Sequence, residues 1–229
     1  MTEIPQTLIR RGLISLAVLL AVMAVLLFGC AGTLRWWQGW LFMGAYFAWS
    51  ILVSVWLARR DPALFKRRMS GGPWAETAPA QRVIMTVMMV AFIALLVVPA
   101  LDHRFAWSRA SIWVVLVGHA AFSIGWLAIL RVFRENTFTA ATVAIMADQT
   151  VITTGPYAIV RHPMYAAALL LLAGMPLALG SWWGLVAFVV ILPVLVWRLL
   201  DEERMLTRDL AGYAAYRQTV RYRLVPGVW

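Results

Sequence analysis

An all-α membrane helix bundle is the fold class this sequence predicts, and three observations predict it. Of the 229 residues, 63% are hydrophobic and only 13% charged, against roughly 45–50% and about 25% in soluble domains. Mean hydropathy is +0.80. The apolar residues also fall into six runs, each close to the roughly 20 residues of helix that a bilayer core requires. Such a length suits one compact bundle, so 1–229 is read as a single integral membrane domain.

In order, the predicted spans are Leu13–Cys30, Gln38–Leu57, Val83–Leu101, Ser111–Leu130, Met164–Leu179 and Trp182–Leu200. Only Gly180 and Ser181 separate the last two, which predicts a tight helical hairpin. Met164–Leu179 is short and holds Pro176, so five spans is the alternative count. Pro99, Pro176 and Pro193 are tolerable inside membrane helices because neighbouring groups satisfy the freed carbonyls. Arg10 and Arg11 before an apolar run ending in Phe28-Gly29-Cys30 resemble a lipoprotein leader. Phe28 is bulky for such a cleavage site and five apolar runs follow, so this segment is read as a first span and signal anchor.

Basic residues set the expected orientation. With six spans, the N-terminus and the segments 58–82, 131–163 and 198–229 share one side and carry 17 Lys or Arg, against three on the other. Positive residues favour the cytoplasm, so both termini are expected there. The net charge of +10 thus reflects topology and attraction to anionic lipid, and nucleic acid is not an expected partner. A single cysteine excludes an internal disulfide, and His103, His119 and His162 lack metal-ligand spacing; no metal is expected. There is no P-loop and no GxGxxG.

Between the spans, 59–82 turns at Gly71 and Gly72. Leu64, Phe65 and Met69 among basic residues suggest an amphipathic piece lying at the interface, a surface loop rather than a catalytic one. Trp36, Trp37, Trp107, Trp182, Trp183 and Trp229 fall near predicted span ends, as interfacial anchors do.

Residues 131–163 and 198–229 are chemically richer. Asn136-Thr137 and Thr153-Thr154-Gly155-Pro156-Tyr157 are turn signals. Pro163 suits the first turn of a helix, which puts Arg161 and His162 at a helix N-terminus, where free N–H groups favour an anion. Arg198 and Glu202 are four apart and share a helix face; they form either a snorkelling i,i+4 ion pair or a functional pair near the membrane edge. Leu206, Leu210, Tyr213 and Val220 follow a helical stripe, read as a cytoplasmic C-terminal helix packing on the bundle or lipid rather than on a cofactor.

"GPYAIVRHPMY", a helical hairpin and then "DEERMLTRDLAGYAAYRQTVRYRLVPGVW" together resemble the isoprenylcysteine carboxyl methyltransferase family, particularly its bacterial members, and more loosely the phospholipid N-methyltransferases. The resemblance covers about 131–229, a methyltransferase-like part following a four-helix part over 1–130. It implies an integral enzyme of a bacterial inner membrane with its active site at the cytoplasmic face. S-adenosylmethionine would be the cofactor, and a lipophilic acceptor would enter from the bilayer. By resemblance, Gln149, Thr150, Val151, Ile152, Tyr157, His162, Pro163, Met164, Tyr165 and Glu202 bind the cofactor, and Arg198 positions the acceptor. A carboxylate acceptor needs no general base and suits a guanidinium fork, which favours O-methylation. The alternatives are a phospholipid-type N-methyltransferase, an NADPH-dependent membrane reductase and a non-catalytic carrier or scaffold.

Overall fold

The computed structural model describes residues 6–229 apart from 70, 77, 140, 143, 144 and 147. Among the described residues there are helices and turns but no strand. Helix α1 covers Gln6–Ala24 and continues through a π turn at Val25–Gly29. It is followed by α2 (Trp37–Arg60), α3 (Pro62–Met69), α4 (Pro79–Phe105) and α5 (Ile112–Glu135). After a long connection come α6 (Pro163–Ala178), α7 (Gly184–Asp209) and α8 (Tyr213–Thr219).

Five of the predicted runs become helices long and apolar enough to cross a membrane. The sixth, α6, has 16 residues, about 24 Å of helix, shorter than the roughly 30 Å hydrocarbon core. It still runs from one end of the bundle to the other. Tyr165 at its start meets Glu202 of α7, and Pro176 near its end meets Gly184. The α6–α7 connection takes residues 179–183 rather than Gly180 and Ser181 alone. Gly180 turns there at φ +76°, a conformation that costs glycine nothing. Ser181 Oγ donates to the buried carboxylate of Asp102, which also accepts the Ser108 N–H at 2.7 Å.

Glycine decides how closely α5 and α6 approach. A Cβ on Gly118 would lie 2.2 Å from the Ala178 nitrogen, and one on Gly174 would lie 2.6 Å from the Phe122 nitrogen. Backbones that close need small residues, the usual means of joining helices where lipid removes the hydrophobic driving force. Phe42, Leu95, Phe122, Met175 and Ile191 fill the core between α2, α4, α5, α6 and α7. The outer faces stay apolar, as at Val189 and Val190 of α7 and Val117 and Ile124 of α5, which is the pattern a lipid-facing bundle requires.

Two expectations change. The apolar side of α3 does not lie on a membrane surface: Leu64 and Phe65 are buried against Val53, Leu57, Leu130 and Phe133. Trp36 is not an interfacial anchor but a core residue, 1% exposed and stacked on His103. Trp37, Trp107, Trp182 and Trp183 do remain exposed at helix ends.

Candidate functional site

At one end of the bundle the segments after α2, after α5 and after α7 converge on a cavity of about 430 Å³. Every residue that the resemblance assigns to cofactor or acceptor lines it: Gln149, Thr150, Val151, Ile152, Tyr157, His162, Pro163, Met164, Tyr165, Arg198 and Glu202. Its inner wall is apolar, with Met85 and Met88 from α4, Ala168 and Leu172 from α6, and Leu195 from α7.

The N-terminus of α6 is built by long-range pairing. The Arg161 and His162 N–H groups donate to the carbonyls of Tyr222 and Arg223 at 2.9 and 3.0 Å, so the C-terminal tail is zipped to the start of the helix. The anion that Arg161 meets at this helix N-terminus is a carboxylate of the chain itself, not a ligand. Arg161 Nε donates to Glu203 Oε1 at 2.7 Å, and its Nη1 donates to the carbonyls of Val220 and Arg221 at 2.9 and 2.8 Å. Glu203 also accepts from Arg223 Nε at 2.8 Å. His162 Nε2 is buried without a hydrogen-bond partner and lies 3.7 Å from Glu203, an ion-pair contact when the imidazole is protonated.

Consecutive glutamates thus do different work. Glu203 is a buried hub that fastens the tail, whereas Glu202 lines the cavity and accepts from the Tyr165 hydroxyl. The helical spacing of Arg198 and Glu202 is realised on α7, but they do not form the i,i+4 ion pair. Arg198, 8% exposed, instead donates through Nη1 to Glu76 Oε1 at 3.0 Å and Gln81 Oε1 at 2.9 Å. Its Nη2 reaches the Ala141 carbonyl at 3.3 Å. Gln81 in turn donates to Asp201 at 2.5 Å.

Glu76 is the residue that reading the sequence missed. It is 2% exposed and follows a 3-10 turn at Pro73–Ala75, in the segment taken for a surface loop; Arg68 and Gly72 of that segment line the cavity. A signal was available, since Glu76 is one of only ten acids in the chain and one of two, with Asp61, among the six bases of its segment. The stripe of Leu206, Leu210, Tyr213 and Val220 packs within the chain: Leu210, Tyr213 and Val220 are buried together with Tyr216, and Leu206, Leu210 and Tyr213 also line the cavity. Tyr157 is held by a 2.8 Å hydrogen bond from Asn136 Nδ2, and burial pushes its phenol pKa up, so it is a neutral hydroxyl at physiological pH. No group of His, Cys, Asp and Glu suited to a metal exists among the described residues.

Fold and site together define a polytopic membrane helix bundle with a ligand-sized cavity at one end, with polar groups from the α5–α6 connection and the end of α7 and an apolar wall toward the helices. Residues 113–211 match the phospholipid methyltransferase family, and that family includes the isoprenylcysteine carboxyl methyltransferases that the sequence resembles. The match takes in α5, the cavity-lining connection, α6 and α7, and stops just before α8. No curated protein matches the chain.

Proposed function

We propose that this protein is a membrane methyltransferase that uses S-adenosylmethionine and methylates a lipophilic acceptor. One observation carries the reading: the residues named from sequence, drawn from three separate segments, line a single cavity whose inner wall is apolar. The family matched by 113–211 supports the methyl-transfer class.

The residues present fit the donor. Glu202 lines the cavity and accepts a hydrogen bond from the Tyr165 hydroxyl; its carboxylate is a natural counter-charge for a cationic amino group. His162, on the same cavity, has a buried Nε2 without a hydrogen-bond partner. When bound, S-adenosylmethionine supplies an electrophilic methyl group on a sulfonium. The work left to the chain is orientation and exclusion of water. Met85, Met88 and Leu172 receive the acceptor's hydrocarbon, entering from the bilayer. Lys and Arg gather at the cavity end, so that end lies in the cytoplasm, in a bacterial inner membrane.

For the acceptor, a carboxylate is the first reading. Arg198 donates three hydrogen bonds to Glu76, Gln81 and Ala141 and lines the cavity, where a guanidinium with five N–H donors suits an anionic oxygen. An amine is the second reading, favoured by the pairing of Arg198 with Glu76, which already matches the guanidinium charge. Membranes containing the protein, given methyl-labelled donor, decide between them. A base-labile ester supports the carboxylate and a base-stable product the amine; no labelled lipid or peptide at all would reject the proposal. Undiminished turnover by Arg198→Ala would remove Arg198 from acceptor positioning.

A further inference from the structure

The α8 wall carries a polar group that neither the family match nor the sequence motif assigns. Tyr213 and Tyr216 are three residues apart, so α8 presents both rings on one face; their centroids are 5.7 Å apart and both are buried. Their hydroxyls differ. Tyr216 donates to the Tyr157 carbonyl at 2.7 Å, which staples α8 to the turn at Gly155–Ala158. The Tyr213 hydroxyl is buried with no partner, although its side chain lines the cavity. Phenylalanine would fill the same space without a stranded hydroxyl, so packing alone does not account for tyrosine here.

A second observation lies alongside. Val151 packs against the cluster that contains Tyr213, yet Thr150, Val151 and Ile152 make no backbone hydrogen bond to any described residue. Gln149, on the same wall, is anchored through Oε1, which accepts the Met146 N–H at 3.1 Å. This wall combines aromatic rings, aliphatic side chains, an unpaired backbone edge and uncharged donors. Those are the features a purine nucleoside needs, with apolar faces and a hydrogen-bonding edge. Of the charged lining groups, Arg198 and Glu202 are on α7, Arg68 is on α3 and Arg161 stands just before α6.

We propose that Tyr213 is a binding residue for the adenosine part of the methyl donor, hydrogen-bonding it beside the backbone of Thr150–Ile152. This rests on the donor reading above. The test uses the full-length protein in detergent, with S-adenosylhomocysteine and 5′-methylthioadenosine as probes and binding read by calorimetry. Tyr213→Phe should weaken both by about tenfold, the loss of one hydrogen bond. The ligand-free variant should melt no lower than wild type, because the stranded hydroxyl is gone, while its stabilisation by S-adenosylhomocysteine shrinks. Full-strength binding by Tyr213→Phe, or loss for S-adenosylhomocysteine but not for methylthioadenosine, would overturn the inference while leaving the donor reading intact. A lower ligand-free melting point with undiminished affinity would reduce Tyr213 to packing. Failure of the wild type to bind either probe would overturn both readings.

Discussion

Glu203→Gln probes the junction that holds the site together. In the native protein the Glu203 carboxylate joins α7 to Arg161 at the start of α6 and to Arg223 in the tail, at 2.7 and 2.8 Å. The Arg161 and Glu203 side chains are each 5% exposed, so water cannot replace the lost charge. Arg217, 3.9 Å away and 37% exposed, is screened and adds little. Breaking a buried pair costs about 3–5 kcal/mol. The lower end applies because Arg161 keeps its bonds to the Val220 and Arg221 carbonyls. About 3 kcal/mol, at roughly 2–4 °C each for a chain of this size, lowers Tm by on the order of 6–12 °C. Tryptophan fluorescence during heating in detergent measures this, and trypsin should cut the loosened tail at Arg217, Arg221 and Arg223 sooner than in wild type. Glu202→Gln, one residue earlier, keeps a hydrogen bond from Tyr165; it should lower Tm by less than about 3 °C but weaken S-adenosylhomocysteine binding. Equal Tm losses for the two glutamates, or an unchanged tail in Glu203→Gln, would refute this division of labour.

Three further outcomes are expected. Glu76→Ala and Arg198→Met should each destabilise by about 3 kcal/mol, since each strands a buried charge, while the double variant loses clearly less than the sum, as a double-mutant cycle on Tm would reveal. Gly118→Ala should destabilise by roughly 1–3 kcal/mol, because its methyl group would press on the Ala178 backbone rather than on a flexible side chain; a neutral result in a thermal melt would refute the close α5–α6 contact. Burial raises the phenol pKa values of Tyr157 and Tyr213, and that of Tyr216 to about 12. Folded values above the unfolded value near 10 mean that the contribution of these groups to stability is complete below pH 10 and is lost as pH climbs toward 12. Absorbance at the phenolate band should therefore rise late, together with unfolding, and an early independent rise would contradict their burial.

What was legible in the sequence follows from how local each signal is. Apolar runs, Pro163 at a first turn and the four-residue spacing of Arg198 and Glu202 are properties of a helix by itself, and all three appear as read. Pairing is not local. Glu202 and Glu203 are chemically identical neighbours, and the hundred-degree step between them on α7 decides that one faces Tyr165 and the cavity, the other Arg161 and the tail. Neither partner is on α7, so no pattern within 198–209 could assign the roles. Glu76 is the extreme case, because its partner lies 122 residues away. Alone, an acid after Gly71-Gly72-Pro73-Trp74-Ala75 reads as solvated, since an unpaired carboxylate would not leave water. Only once Arg198, itself costly at a membrane edge, is brought beside it does burial become favourable. Arg198 and Glu76 each supply the counter-charge that permits the other to be buried, so the segment ahead of α4, outside the family match at 113–211, is a working part of the cavity wall.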